Sequence, residues 1–171
     1  MSLMFTHLIF AWLLGKVFEF LTKKKLSTYT WLFLLIGSVL PDTDFLIDWI
    51  LGINLHRTFT HSLIFSILAP LVLYTILGLS KDRKSKTFSV ALGIGILTHI
   101  ILDMSYNYGV QLFWPKELYI SYFRISSELL LPPLFNLPPD YIVEILKEML
   151  FDTALGIAWI FYFMLRQKLK P

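Results

Sequence analysis

Apolar residues run along this chain in long blocks, and the polar ones collect where blocks end. The blocks are Leu3–Thr22, Tyr29–Leu51, His61–Ser80, Thr87–Tyr106 and about Asp140–Leu165. Each approaches the ~20 residues that let an α-helix cross ~30 Å of hydrocarbon, and the last is long enough to project beyond it. Gly37, Pro41, Pro70, Gly93, Gly95 and Gly156 interrupt several of them, which membrane helices tolerate because neighbours re-satisfy the freed backbone groups. The pattern predicts an all-α integral membrane bundle of about five transmembrane helices, forming one domain over residues 1–171. No basic stretch precedes the first block, and Lys16 and Glu19 fall where a cleavage site would be sought. It therefore reads as a retained helix, with Lys16 and Glu19 sharing one face.

Composition agrees with that picture. The chain is 56% apolar and 16% charged, against about 45–50% and about 25% for a soluble domain. Its mean hydropathy is +0.67. With no cysteine, disulfides and thiolate metal sites are excluded. Charge then orients the bundle. Lys23–Lys25, the group Lys81, Arg83, Lys84 and Lys86, and the group Arg166, Lys168 and Lys170 hold 10 of the 15 basic residues. With five spans all three clusters fall on one side, which the positive-inside rule makes cytoplasmic. The N-terminus is then extracytoplasmic and the C-terminus cytoplasmic, in a multi-pass protein of the inner (cytoplasmic) membrane.

The same arrangement gathers the chemistry. His7 lies 16 residues from Lys23, Asp42 17 from Lys25, His61 20 from Lys81 and Asp103 17 from Lys86. At 1.5 Å per residue each sits roughly 24–30 Å from the basic face. Carboxylates and imidazoles thus converge at one depth, near the outer boundary of the membrane. Burying them there without a partner is costly, and a divalent cation takes this mixture of oxygen and nitrogen donors. In Leu40-Pro41-Asp42-Thr43-Asp44, Pro41 breaks or kinks the helix and sets Asp42 and Asp44 in a turn; the alternative is an aspartate that caps the next helix. In His56-Arg57-Thr58-Phe59-Thr60-His61-Ser62, Thr58 or Thr60 is expected to cap the third helix, with His61 in its first turn. Arg57 matches a phosphate in geometry, or else pairs with Asp44 or Asp48. His99 and Asp103, at i and i+4, face one way on a helix and suit two ligands of one ion, or a ligand and the carboxylate that orients it. Glu148 and Asp152 repeat that spacing in the last block, and Asp152 is carried as a further candidate ligand.

Past the fourth block, Gly109 to Pro115 leads into an aromatic segment that, with Tyr106, Tyr119, Tyr122 and Phe123, suits a membrane interface. Residues 116–140, with Pro132, Pro133, Pro138 and Pro139, read as a surface cap or lid. There is no Gly-rich phosphate loop and no Gly-x-Ser-x-Gly elbow. The basic residues form short clusters beside the membrane without interleaved stacking aromatics, which argues against a nucleic-acid partner.

Thr6-His7 before an apolar helix, Leu-Pro-Asp-x-Asp, His-Arg-x-x-Thr-His-Ser, His-x-x-x-Asp and Tyr-Gly-Val-x-Leu-x-Trp-Pro together resemble the YdjM-type family of inner-membrane metal-dependent hydrolases. They run in order from His7 to Pro115. More remotely, that family resembles the zinc-dependent phospholipase C and P1 nuclease group. The resemblance implies metal ligands at His7, Asp42 or Asp44, His61, His99 and Asp103, with His56 close by. The distant group's late His-x-x-x-Glu pair is replaced here by Glu148-x-x-x-Asp152, so one or two zinc ions are expected and not three. The resemblance implies hydrolase activity and leaves the substrate open. The depth of the site, level with the headgroups, leads to the expectation of metal-assisted hydrolysis of a phosphoester in a lipid headgroup or lipid-linked phosphate, with Asp44 accepting a proton and Arg57 holding the phosphate. The rivals are an ion or proton transporter, since intramembrane Asp and His also mark ion pathways, and a membrane scaffold whose metal only ties helices together.

Overall fold

The computed structural model describes residues 3–53, 56–80, 83–106, 109–126 and 139–168, leaving aside the side chains at 139–141 and 167–168. The first two blocks become α1 (Met4–Thr22) and α2 (Thr28–Gly37). Ser27 caps α2, its hydroxyl accepting the Thr30 N–H at 3.2 Å. Beyond Gly37 the chain passes through a 3-10 turn, Leu40–Thr43, and enters the short helix α3 (Asp44–Leu51). The bend between the two halves is 54°. Pro41 explains its place, because proline lacks an N–H and its ring collides with the carbonyl four residues back.

A second 3-10 turn, Phe59–His61, precedes α4 (Leu63–Leu79), followed by α5 (Ser85–Asp103) and α6 (Pro139–Lys168). The cap of α4 is Ser62, not Thr58 or Thr60: its hydroxyl accepts the Phe65 N–H at 3.1 Å. His61 consequently sits in the turn ahead of the helix, and Thr60 is released to face the site. Helices α1, α5 and the Ile142–Arg166 part of α6 are long and apolar enough to cross a membrane, and the bent α2–α3 pair makes a fourth. At 17 residues, α4 is apolar but spans only about 25 Å. The five expected crossings thus come out as three or four by length, with α4 a shorter fifth apolar helix.

Helix α5 is the axis of the bundle. It packs against α2, α4 and α1, while α6 lies against α1. A β-carbon at Gly95 would overlap the Leu34 carbonyl, and one at Gly37 the Leu92 carbonyl. Small residues let membrane helices approach this closely, and the approach brings the end of α2 onto His99. Among the described residues, the fully buried large side chains include Arg57, His7, His61, His99, Asp48 and Asp103. The outer surface is apolar, with Phe20, Leu21, Leu79 and Leu150 among its most exposed members. Polar inside and apolar outside inverts a soluble domain, and it fits hydrocarbon as the surrounding solvent.

Residues 109–126 fold back on the polar end of the bundle. The strands β1 (Tyr119–Ile120) and β2 (Ile125–Ser126) pair antiparallel, and Val110 bridges to Ile120. Gly109 has φ +71°, and a β-carbon there would come within 2.9 Å of Ile120 backbone, so the turn requires glycine. Of the expected cap, residues 116–126 form this hairpin and 127–138 lie outside the described residues.

Candidate metal centre

Seven polar side chains from four segments meet at one end of the bundle. His7 comes from α1, Asp42 and Asp44 from the bend after α2, His56 and His61 from the loop before α4, and His99 and Asp103 from α5. The proline break turns both aspartates inward, and the i, i+4 spacing on α5 sets His99 and Asp103 on one face.

One donor atom from each of Asp42, His61, His99 and Asp103 lies within 4.8 Å of the others. Nε2 of His61 is 3.1 Å from Nε2 of His99, 3.5 Å from Oδ1 of Asp42 and 3.3 Å from Oδ2 of Asp103. Nε2 of His99 is 3.3 Å from Oδ1 of Asp42 and 3.8 Å from Oδ2 of Asp103. Donors bonded at about 2.0–2.1 Å to one tetrahedral centre stand about 3.3–3.4 Å apart. The five separations scatter around that value, so the four residues fit a single divalent ion. Two further observations agree. The Nδ1–H of His99 donates to the Ser38 carbonyl at 2.8 Å, which leaves its Nε2 a lone pair facing the nitrogen of His61. Both oxygens of Asp103 are buried without a hydrogen bond of ordinary geometry among the described residues.

A second group adjoins the first: Asp44, His56 and His61 also present donors within 4.8 Å of one another. Oδ1 of Asp44 is 2.8 Å from Nδ1 of His56, and its Oδ2 is 3.5 Å from Nδ1 of His61. The Thr60 hydroxyl donates to that same Oδ2 and lies 3.0 Å from Nδ1 of His61. Asp48 is fully buried and accepts the backbone N–H of His56 at 2.8 Å. Burial opposes a charge on His61, but the carboxylates of Asp103, Asp42 and Asp44 around the ring outweigh it and raise the imidazole to about 10. Without metal, a proton on His61 stands in for the cation.

His7 stacks on His99 with ring centroids 3.9 Å apart and sets its Nε2 3.3 Å from Oδ1 of Asp103. It lies against the four-donor group and outside it, on the second oxygen of a ligand carboxylate. Arg57 is also placed differently from the phosphate-holding role read from the sequence. It is wholly buried, 3.4 Å from Oδ2 of Asp103, and donates to the Gly109 carbonyl at 3.3 Å. The Tyr106 ring covers its guanidinium at 5.4 Å. Burial, with Glu148 and Asp103 nearby, raises the Tyr106 phenol to about 12, so the ring stays neutral. Arg57 has φ +67°, a conformation uncommon outside glycine that is held at functional sites by its surroundings.

Asp152 is not brought into either group. It caps α1, its carboxylate accepting the backbone N–H of Phe5 at 2.9 Å and of Thr6 at 2.7 Å, and the Thr6 hydroxyl at 2.7 Å. It therefore fixes the residue next to His7. Three contributors escaped the sequence reading. Ser38 acts through its carbonyl, Thr60 through a hydroxyl that sits on Asp44 instead of capping α4, and Tyr106 through a ring that covers Arg57 instead of joining the interfacial aromatics.

A cleft of about 350 Å³ opens beside the centre, lined by Met4, Val39, Asp42, Thr43, Phe45, Leu46 and His56. Asp42, with a side chain 20% exposed, is the ligand that reaches it, whereas Asp44 is 3% exposed. On the other side, Lys16 and Glu19 neutralise each other at 2.9 Å.

No curated protein and no solved structure matches the chain. A polar, buried centre inside an apolar helical bundle is what the sequence motifs implied, and the model of the YdjM inner membrane protein family matches residues 1–169: the chain belongs to that family.

Proposed function

We propose that the protein is a metal-dependent hydrolase that cleaves a phosphoester of a lipid headgroup or lipid-linked phosphate at the extracytoplasmic side of the inner membrane. The observation that carries this reading is the near-tetrahedral set of Asp42, His61, His99 and Asp103 beside an open cleft. Bound zinc would supply Lewis acidity, polarising a phosphoryl oxygen and acidifying water. The chain's own residues do the rest. Ser38 fixes the tautomer of His99, Arg57 and His7 hold Asp103 in place, and Asp42 is the site carboxylate within reach of a proton released in the cleft. Arg57 is a positioning residue here, not a phosphate clamp. Leu46 and Phe45 on the cleft wall suit an amphiphilic substrate, and a site at headgroup depth favours a lipid.

One observation favours a second reading. Four protein donors already complete a tetrahedron, as in metal sites that serve structure alone. The test is turnover of a panel of phospholipids and lipid-linked phosphates by purified protein, with and without chelator. Chelator-sensitive release of a headgroup or phosphate, absent in His99→Ala, supports the hydrolase. If nothing is turned over and metal removal simply unfolds the protein, the scaffold reading replaces it.

A further inference from the structure

The two donor groups share one residue, and they use different atoms of it. His61 turns Nε2 toward Asp42, His99 and Asp103, and Nδ1 toward Asp44. We infer that the centre is dinuclear, with a second divalent cation held by Asp44, His56 and His61 and with the His61 ring bridging the two ions. The inference rests on the metal-centre reading above and extends it.

Three features of the molecule carry it. First, Asp44 is buried between two imidazoles, with Nδ1 of His56 at 2.8 Å and Nδ1 of His61 at 3.5 Å. A carboxylate flanked by two ring nitrogens is a three-donor set, and three protein donors leave one coordination position open. That position matters because His56 lines the cleft, so the second group is the one beside which a substrate enters. The first group is already four-coordinate from the protein. Second, four carboxylates, Asp42, Asp44, Asp48 and Asp103, gather at this end of the bundle, where Arg57 is the only lysine or arginine among the described residues that is buried. Carboxylates gathered out of water favour divalent cations as counter-charge. Third, the loop is built to present both faces of His61. The 3-10 turn Phe59–His61 ends at the Ser62 cap, which holds the ring between α3 and α5 and keeps it out of the helix.

The rival is an Asp44 that only orients His56 and His61 by hydrogen bonds, with no second ion between them. The experiment separates the two. Full-length protein in detergent, stripped with chelator, is titrated with Zn²⁺ and its bound metal counted after desalting. Two ions per chain are expected for the wild type, and one for Asp44→Asn and for His56→Ala. Copper gives a second readout. Two Cu²⁺ ions bridged by one imidazole couple magnetically, so the electron paramagnetic resonance signal should fall well below two spins at full loading. In His56→Ala it should return to one full spin. Both wild-type measurements stand even where a variant folds poorly. Saturation at one ion overturns the second site and leaves the hydrolase reading intact, and no bound metal at all overturns both. Two magnetically independent copper ions, or a second ion that persists in both variants, also overturn the bridged centre.

Discussion

At the scale of single residues, the centre depends on which atoms face inward. His99→Ala removes the nitrogen whose tautomer Ser38 fixes, and bound metal and turnover should both be lost; elemental analysis with the lipid assay checks this. Arg57 supports Asp103 without touching the cleft. Arg57→Met should lower metal affinity about 10–100-fold, as losses of residues that orient a ligand do. It should also cost about 3–5 kcal/mol of stability by leaving a buried carboxylate unpaired. Competitive chelation and thermal melting measure the two. If Arg57 instead held the phosphate, affinity for metal would be unchanged and only turnover would fall. The proton on His61 gives a pH dependence. Its pKa is raised from 6.5 to about 10 in the metal-free protein, so metal must displace a proton at neutral pH. Affinity should therefore rise about tenfold per pH unit up to about pH 10. The stability this imidazolium gives the metal-free form is present below pH 6.5 and fades as pH climbs toward 10. Zinc titrations across pH 6–9 and melting of the metal-free protein should thus trend in opposite directions.

Helices set the distances on which those residues depend. Gly37 and Gly95 allow α2 to touch α5, and the Ser38 carbonyl reaches His99 because of that contact. Gly95→Ala should separate the two helices, costing about 1–3 kcal/mol as overpacked cores do. It should weaken metal binding although no ligand is altered, which melting and chelation in parallel would reveal. Helix α6 acts on the site from outside. Asp152→Ala removes the cap of α1 and should cost about 1–2 kcal/mol. The effect should include a looser His7, since Phe5 and Thr6 are the residues it ties down. Metal content in Asp152→Ala should stay at the wild-type value; loss of an ion would make Asp152 a ligand after all.

For the whole molecule, the helices alternate in direction, so the ends that bear His7, Asp42, His61 and Asp103 gather at one face. Lys23–Lys25 and Lys84–Lys86 lie at the other. By the positive-inside rule the basic face is expected in the cytoplasm. In this cysteine-free chain, single cysteines at Lys24 and Lys116 should be labelled by an impermeant reagent from opposite sides of the membrane. Labelling of both from the same side would overturn the orientation and the extracytoplasmic site with it.

The hydrophobic pattern alone determined that the chain is a helical membrane bundle, because ~20-residue apolar blocks have no other stable arrangement in lipid. It also marked the Asp and His groups that could hold a metal, since charges are too costly there to be scattered. Helix spacing sufficed to pair His99 with Asp103 and to place His7, Asp42 and His61 at their depth. What it could not assign is the division of labour among them, because that depends on contacts between segments far apart in the chain. Asp152 matched the ligand spacing of His99 and Asp103, yet the packing of α6 on α1 turns it to a helix end. Arg57 looked like a phosphate clamp until the turn around Gly109 enclosed it against Asp103. Ser38 carried no signal at all, since its contribution is a backbone carbonyl that every residue has. Sequence limits the chemistry by what burial costs; only the tertiary structure decides which neighbour meets that cost.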